Sequence, residues 1–151
     1  MSSGHTTRAG ASRRASPIFT THASPPEGLY VHFPFCVSLC PYCDFVVVAG
    51  SAARGPRNRV GALLRAIHSE LGLRAHAVEA SYGSGRAPLR SVYLGGGTPS
   101  LMEAGQVGAL LAEVDTRLGI ATDAEVTLEA IPGSDETGDL AGFRAAGVTR
   151  L

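Results

Sequence analysis

All three cysteines of the chain lie within eight positions, at Cys36, Cys40 and Cys43, with the spacing C-x3-C-x2-C. Thiolates this close together favour a metal ion or an iron–sulfur cluster over disulfides, because their number is odd and the loop is too short to staple a fold. Iron–sulfur clusters normally take four cysteine ligands, so one iron would lack a protein thiolate. By analogy with metal sites that keep an open position, that iron could bind a substrate or cofactor.

Zinc is the alternative that these residues leave open. His32 lies four positions before Cys36 and would complete a tetrahedral Cys3His site. The chain would then be a structural zinc-binding module. Three free thiols suited to a metal also indicate a reducing compartment.

Other polar residues fall on or beside three apolar runs. Tyr30 and His32 alternate with Val31 and Phe33, so on a strand both polar rings point to one face. Gly95, Gly96, Gly97 and Thr98 follow a second run, where glycine lets a ligand approach the backbone. Glu129 ends a third run, where a carboxylate can accept hydrogen bonds from ribose hydroxyls. The plain alternatives are a packed aromatic pair, a turn and a solvated carboxylate.

Strands and helices alternate along the chain. The predicted strands are 29–33, 89–94, 125–130 and 148–151, and the predicted helices are 56–78, one that begins after a Ser100–Glu103 capping box, and a short one around Leu140 and Phe143. This order predicts an α/β fold with a parallel sheet. A doubly wound sheet and a partial β/α barrel both fit the pattern.

Composition narrows the class of protein. The chain has 151 residues, of which 44% are hydrophobic and 17% charged, which is typical of a globular domain. Its 13 basic and 13 acidic side chains give no electrostatic case for nucleic acid. No apolar run approaches the ~18 residues of a membrane span. Residues 1–27, rich in Arg and Ser, are predicted to be a disordered basic tail, or alternatively a mitochondrial transit peptide.

The stretch YVHFPFCVSLCPYCDF resembles the cluster loop of the radical S-adenosylmethionine (radical SAM) superfamily, and more narrowly the oxygen-independent coproporphyrinogen III oxidase-like family. The resemblance implies that Cys36, Cys40 and Cys43 hold a [4Fe-4S] cluster whose fourth iron binds S-adenosylmethionine. It also implies a place for Tyr30 near the sulfonium, for His32 beside the cluster, and for the Tyr42 backbone near the adenine.

Two further motifs extend the resemblance. YLGGGTPSL is similar to the family motif that binds the amino group of S-adenosylmethionine, which implies this role for Gly95, Gly96, Gly97 and Thr98. TLEAIPGS is similar to the family's EANPG, whose glutamate contacts the cofactor, so Glu129 takes that role by implication. Ile131 stands where the family usually has asparagine. No residue is assigned a catalytic role.

The resemblance favours the barrel over the doubly wound sheet. It implies that residues 28–151 form the N-terminal part of a six-unit radical SAM barrel, truncated after about three βα units. A fragment of this kind should leave a parallel sheet edge exposed and should be marginally stable alone.

Phe45 separates two branches of the family. The decarboxylating oxidases carry a fourth cysteine at the position of Phe45. Because this chain lacks that cysteine, it resembles the haem chaperone (HemW-like) branch. The implied function is transfer of haem to an acceptor protein in the cytoplasm, with the haem site beyond Leu151. Oxidative decarboxylation of coproporphyrinogen III, in porphyrin biosynthesis, is the alternative.

Overall fold

The computed structural model of the protein describes residues 24–132 and 136–151. The predicted basic tail therefore lies outside the described residues, except for residues 24–27. Hydrogen bonding to the sheet begins at Glu27. Its carbonyl accepts backbone hydrogen bonds from Arg90 at 2.7 Å and from Ser91 at 3.3 Å. These bonds seat the start of the first strand beside its neighbour in the sheet.

The described residues form five strands and three α-helices, which alternate as predicted except for two short strands beside the cysteine loop that the sequence does not predict. The elements are β1 (Gly28–Phe33), β2 (Phe35–Cys36), β3 (Val48–Ala49), α1 (Val60–Tyr82), β4 (Leu89–Gly96), α2 (Ala104–Leu118), β5 (Ile120–Leu128) and α3 (Leu140–Ala145). Two short 3₁₀ turns, Gly50–Ala52 and Pro99–Leu101, precede α1 and α2.

The main sheet is parallel, with the strand order β1-β4-β5. Tyr30 of β1 lies opposite Tyr93 of β4, which lies opposite Thr127 of β5. A single parallel bridge then joins Thr127 to Arg150, where the sequence predicts a fourth strand. The two-residue strands β2 and β3 form a separate parallel pair.

All three helices form one layer. Helix α1 packs against α2, and α2 packs against α3, while successive strands are neighbours in the sheet. A doubly wound sheet would reverse its strand order and carry helices on both faces. The described part of the chain instead winds as a β/α barrel does, and its sheet is open. The predicted α/β fold with a parallel sheet is confirmed, and its winding favours the partial barrel over the doubly wound sheet.

The core fills the space between the sheet and the helix layer. Alternation buries Val31 and Phe33 of β1 and Val92 and Leu94 of β4 on the helix side. Helix α2 contributes the predicted stripe, all of it buried: Val107, Leu110, Leu111, Val114 and Leu118. Each such side chain stabilises the fold by about 1.5–3 kcal/mol relative to exposure. The opposite face of the sheet is left to polar residues.

The starts of the helices differ from prediction. Helix α1 begins at Val60 rather than Pro56, because the Asn58 side chain accepts the Val60 amide at 2.7 Å. The predicted Ser100–Glu103 capping box is wrong. Pro99–Leu101 forms its own turn, so α2 begins three residues later, and Gln106 Oε1 accepts the amide of Glu103 at 2.9 Å.

Strand bounds shift by a few residues. Strand β4 continues to Gly96 instead of ending at Leu94, and β5 runs from Ile120 to Leu128 instead of from Glu125 to Ala130. Glu129 is therefore the first residue after β5. Within residues 24–132 and 136–151, no helix combines the length and apolar character that crossing a bilayer requires.

Candidate cofactor site

Tyr30 and His32 share the open face of β1, as their alternation predicts. The Tyr30 hydroxyl is hydrogen-bonded to His32 Nδ1 at 2.9 Å, and the two ring centroids are 5.9 Å apart. Burial, and then the charge of Glu129, raise the pKa of Tyr30 above its ordinary value. The hydroxyl therefore keeps its proton at neutral pH.

Glu129 lies beside β4 and is held there by two hydrogen bonds. The Tyr93 hydroxyl donates to Oε1 at 2.8 Å, and the backbone amide of Gly96 donates to Oε2 at 2.9 Å. The bond to Glu129 is the main cause that raises the pKa of Tyr93. The tyrosine thus remains the donor and the carboxylate the acceptor across the neutral range.

Gly96 and Gly97, at the end of β4, lie too close to neighbouring protein atoms to carry a side chain. A Cβ at Gly96, where φ is +119°, would lie 2.7 Å from the imidazole of His32. A Cβ at Gly97 would lie 2.5 Å from the carbonyl oxygen of Phe35 and 2.9 Å from the carbonyl carbon of Pro34. The turn can therefore pack against the entry to the cysteine loop only if both positions are glycine.

Three backbone amides of this turn are already hydrogen-bonded within the protein. The amides of Gly96, Gly97 and Thr98 donate, respectively, to Glu129 Oε2 at 2.9 Å, to the Phe33 carbonyl at 2.6 Å and to the Phe35 carbonyl at 2.8 Å. The amino group of a cofactor is itself a donor and needs oxygen acceptors. A role for the turn in holding such a group must therefore use its oxygens.

The cysteine loop runs between β2 and β3 and is closed by backbone bonds at its base. The Val48 amide donates to the Pro34 carbonyl at 2.8 Å, and the Gly50 amide donates to the Val37 carbonyl at 3.2 Å. Near the tip, the Cys43 amide donates to the Cys40 carbonyl at 3.1 Å. All three thiols are free and partly exposed. Backbone hydrogen bonds thus join the two ends of the loop, and its thiols remain accessible as ligands.

The three thiols are near enough to affect one another. Burial, more than any other cause, raises the pKa of Cys36, the charges of Cys43 and Cys40 raise it further, and the Thr98 hydroxyl lowers it. Tyr42, 86% exposed on the loop, has its pKa raised chiefly by a hydrogen bond to Cys40. A metal would have to displace protons from these thiols on binding.

Most of the chain is similar in sequence to known proteins. No protein-family model matches it. The chain is 37% identical over 127 residues to the heme chaperone HemW of Escherichia coli K12, covering 84% of this chain and 31% of that protein. It is 38% identical over 142 residues to HemW of Mycobacterium tuberculosis H37Rv, covering 91% of this chain and 34% of that protein.

A eukaryotic relative and a solved structure extend this result. The chain is 37% identical over 147 residues to bovine mitochondrial radical S-adenosyl methionine domain-containing protein 1, covering 95% of this chain and 30% of that protein. The structure of coproporphyrinogen III oxidase (HemN) from Escherichia coli, a radical SAM enzyme, superposes with a TM-score of 0.71 at 28% identity, covering 87% of this chain and 28% of that one.

Over the aligned span, the chain is similar to HemW-like radical SAM proteins. That span corresponds to about a third of the length of these curated relatives. Radical SAM proteins as a family use a [4Fe-4S] cluster and S-adenosylmethionine, and relatives of this HemW-like chain occur both in bacteria and among mitochondrial proteins.

The three thiols of Cys36, Cys40 and Cys43 are chemically suited to an iron–sulfur cluster. Within residues 24–132 and 136–151, no three ligand side chains converge on the position of one metal ion. Thiolates are the ligands that an iron–sulfur cluster takes, and each of the three would bind a different iron.

Thr98 joins the glycine turn to the cysteine loop. Its side chain is 1% exposed, and its hydroxyl meets no hydrogen-bond partner in the described part of the chain, although it is close enough to lower the pKa of Cys36. A buried hydroxyl without a partner costs about 1–3 kcal/mol. A polar group or a thiolate at this position would relieve that cost.

Sequence reasoning missed two residues of this candidate site. Tyr93 was passed over, although its place two residues before Gly95 on β4 puts it on the same face as Tyr30. Glu136 was also missed; its Oε2 accepts the Val37 amide at 3.4 Å, and its charge raises the pKa of Cys36. Period-two alternation could have identified Tyr93, whereas no sequence signal connects Glu136 to a loop about 100 residues earlier.

Proposed function

We propose that the protein is a radical SAM haem chaperone, which binds a [4Fe-4S] cluster and S-adenosylmethionine and transfers haem to an acceptor protein. The observation that carries the proposal is the packing of the cysteine loop onto the glycine turn. Gly97 and Thr98 bond to the Phe33 and Phe35 carbonyls at the start of that loop. Thiol ligands and the polar face of the sheet are thereby held side by side.

In this proposal Cys36, Cys40 and Cys43 hold the cluster, and the open face holds the sulfonium cofactor. Bound there, the cluster supplies one electron that can cleave the sulfonium. The protein residues bind and orient. Those assigned to the cofactor are Tyr30, His32, Tyr42, Gly95, Gly96, Gly97, Thr98 and Glu129.

The role of each cofactor residue follows from its chemistry. Glu129 keeps lone pairs for hydroxyl or ammonium donors after accepting from Tyr93 and Gly96. Tyr30 and His32 present a protonated phenol and an imidazole beside it. Tyr42, which projects from the cysteine loop, offers its backbone to the adenine.

Metal analysis tests the cluster assignment. Anaerobic reconstitution of the full protein with iron and sulfide should give a brown sample with about four irons per chain. The Cys40→Ser variant should hold much less iron, whereas Ser38→Ala, which changes the same loop without removing a thiol, should retain it. One equivalent of zinc with no iron after reconstitution would support the zinc-binding structural module and overturn the cluster.

Haem transfer and porphyrin decarboxylation are separated by a second experiment. The chaperone is supported by Phe45, which stands where the decarboxylating oxidases have a fourth cysteine, and by the resemblance to HemW proteins. The structural match to HemN favours coproporphyrinogen III oxidation as the second candidate. Haem binding and transfer by the full protein should be measurable without loss of substrate propionates. Conversion of coproporphyrinogen to protoporphyrinogen without haem binding would reject the chaperone.

Two narrower assignments belong to the same proposal. Residues 28–151 are the N-terminal part of the barrel domain, preceded by a basic tail, and the haem site lies in another part of the protein. We place the protein in the cytoplasm, with the mitochondrion as the alternative if the tail is a transit peptide. Fractionation of cells that express the full protein distinguishes these two compartments.

A further inference from the structure

We propose that Tyr93 is a positioning residue that fixes the Glu129 carboxylate in the orientation in which it receives the cofactor. This inference rests on the proposed role of Glu129 and adds a residue to it. Tyr93 lies in the middle of the open face, opposite Tyr30 on one side and Thr127 on the other. Its hydroxyl donates a hydrogen bond to the Glu129 carboxylate.

The ring of Tyr93 is itself restrained by its neighbours. Its centroid lies 6.0 Å from that of Tyr30, with the two planes tilted by 30°. A Cβ at Gly95 would lie 2.7 Å from Tyr93 Cε1 and 3.1 Å from Glu129 Oε2. The tyrosine and the carboxylate therefore both lie over Gly95, and any side chain at that position would push them away.

This packing places the hydroxyl where the carboxylate needs a donor. Oε1 accepts from the Tyr93 hydroxyl at 2.8 Å and Oε2 accepts from the Gly96 amide at 2.9 Å, so each oxygen of Glu129 is tied to β4. A glutamate side chain otherwise rotates freely at the end of a strand. Restraining it before the ligand arrives removes an entropic cost of binding.

The carboxylate keeps enough capacity to bind a ligand. An ionised carboxylate has about four lone-pair sites, and only two are used by these bonds. The remaining sites can accept from the hydroxyls or the ammonium group of a bound cofactor. Because this same bond raises the pKa of Tyr93, the phenol keeps its proton and stays the donor.

The alternative is that Tyr93 only fills space beside Tyr30 and Gly95. A phenylalanine ring would do this equally well, since ring packing does not involve the hydroxyl. Tyr93→Phe therefore separates the two roles, because it keeps the ring and removes the donor. Tyr82→Phe, at the last residue of α1, is the matched control for loss of a tyrosine hydroxyl.

The test is a double-mutant cycle in the full protein, reconstituted anaerobically, with the dissociation constant of S-adenosylmethionine as the readout. Tyr93→Phe should weaken binding by about threefold or more, and it should have no further effect in the Glu129→Ala background. Tyr82→Phe should leave binding unchanged. Equal weakening by Tyr93→Phe in both backgrounds would overturn the positioning role.

The cycle also separates this inference from the proposed function. If Glu129→Ala weakens binding but Tyr93→Phe does not, the positioning role fails and the assignment of Glu129 remains. If Glu129→Ala leaves binding unchanged, both fail. A cofactor-free readout checks the bond itself: the ultraviolet tyrosinate titration lost in Tyr93→Phe should move to lower pH in Glu129→Gln. An unchanged titration would show that the bond is absent in solution.

Discussion

Thr98 and Thr127 are two buried hydroxyls in the same site with opposite circumstances. Thr98 lies under the glycine turn with its hydroxyl unpartnered among the described residues, while the Thr127 hydroxyl donates to Glu125 Oε1 at 3.0 Å. Both side chains are 5% exposed or less. Without a ligand, the unpaired hydroxyl of Thr98 therefore destabilises the fold, and a ligand that bonds to it would remove that cost.

Replacement of each threonine by valine tests this contrast. In the protein without cluster, Thr98→Val should raise the free energy of unfolding by about 1 kcal/mol, because it removes an unpaired buried hydroxyl. Thr127→Val should lower it by about 1 kcal/mol, because it breaks a bond and leaves the same shape. Urea unfolding measures both. A loss of stability in Thr98→Val as large as in Thr127→Val would show that Thr98 has a partner.

Gly97 is a second residue whose environment predicts a sign. Gly97→Ala would drive a methyl group into the Phe35 and Pro34 backbone at 2.5–2.9 Å, and neither can move without disturbing the cysteine loop. We expect a loss of about 1–3 kcal/mol on urea unfolding. Gly105→Ala, in α2 with no atom within 4 Å of the new methyl, should instead gain about 0.4–1 kcal/mol. A neutral Gly97→Ala would contradict the close approach.

At the scale of elements, the cysteine loop is held in place by several segments that are distant in sequence. The ends of β1 and β2 contact the turn after β4, and Glu136, between β5 and α3, reaches the Val37 amide. No strand or helix therefore forms the site alone. The site is assembled when the three-stranded sheet aligns the ends of β1, β4 and β5.

The segment after α3 is joined to β5 partly by an ion pair. Arg150 Nη1 lies 3.0 Å from Glu125 Oε1, and this hydrogen bond, followed by the one from Thr127, lowers the pKa of Glu125. A carboxyl group whose pKa is lower in the folded state stabilises the fold above its unfolded pKa of about 4.3, and this contribution is lost as pH falls through the folded value.

Glu125→Gln therefore should reduce stability at neutral pH and have no effect at strongly acid pH. The effect should be small, because both side chains are exposed, and salt should weaken it. Thermal midpoints of the two proteins, measured between pH 7 and pH 2 at low and high salt, check this expectation. A difference that persists undiminished at pH 2 would assign the effect to packing instead.

At the scale of the whole molecule, the sequence predicts what depends on local pattern and misses what depends on register. Alternation placed Tyr30 and His32 on one face, and helical spacing identified the buried stripe of α2. The pairing of Tyr93 with Glu129 depends on how β4 and β5 align, including an irregularity between Leu89 and Ser91. Long-range packing decides that alignment, so no short motif encodes it.

The distribution of apolar surface over the whole molecule supports a final prediction. A core covers the helix side of the sheet except for a groove between α1 and β1, whereas the cysteine loop exposes large apolar side chains: Leu39 (65%), Tyr42 (86%), Phe45 (65%) and Val46 (85%). Apolar residues grouped in this way mark surfaces that other protein segments or ligands cover. Four such residues on one loop are therefore expected to bind apolar probes.

Binding of an apolar fluorescent dye to the 151-residue chain should fall in a Phe45→Ser/Val46→Ser variant. Stability should change by no more than about 0.5 kcal/mol per substitution, because exposed residues contribute little to folding. Phe33→Ala is the contrasting control: its side chain is 1% exposed in the core, so it should cost about 3–5 kcal/mol and increase dye binding. A double variant that binds as much dye as the parent would show that the probe reports on another surface, such as the open groove between α1 and β1 that Leu63 and Ile67 line.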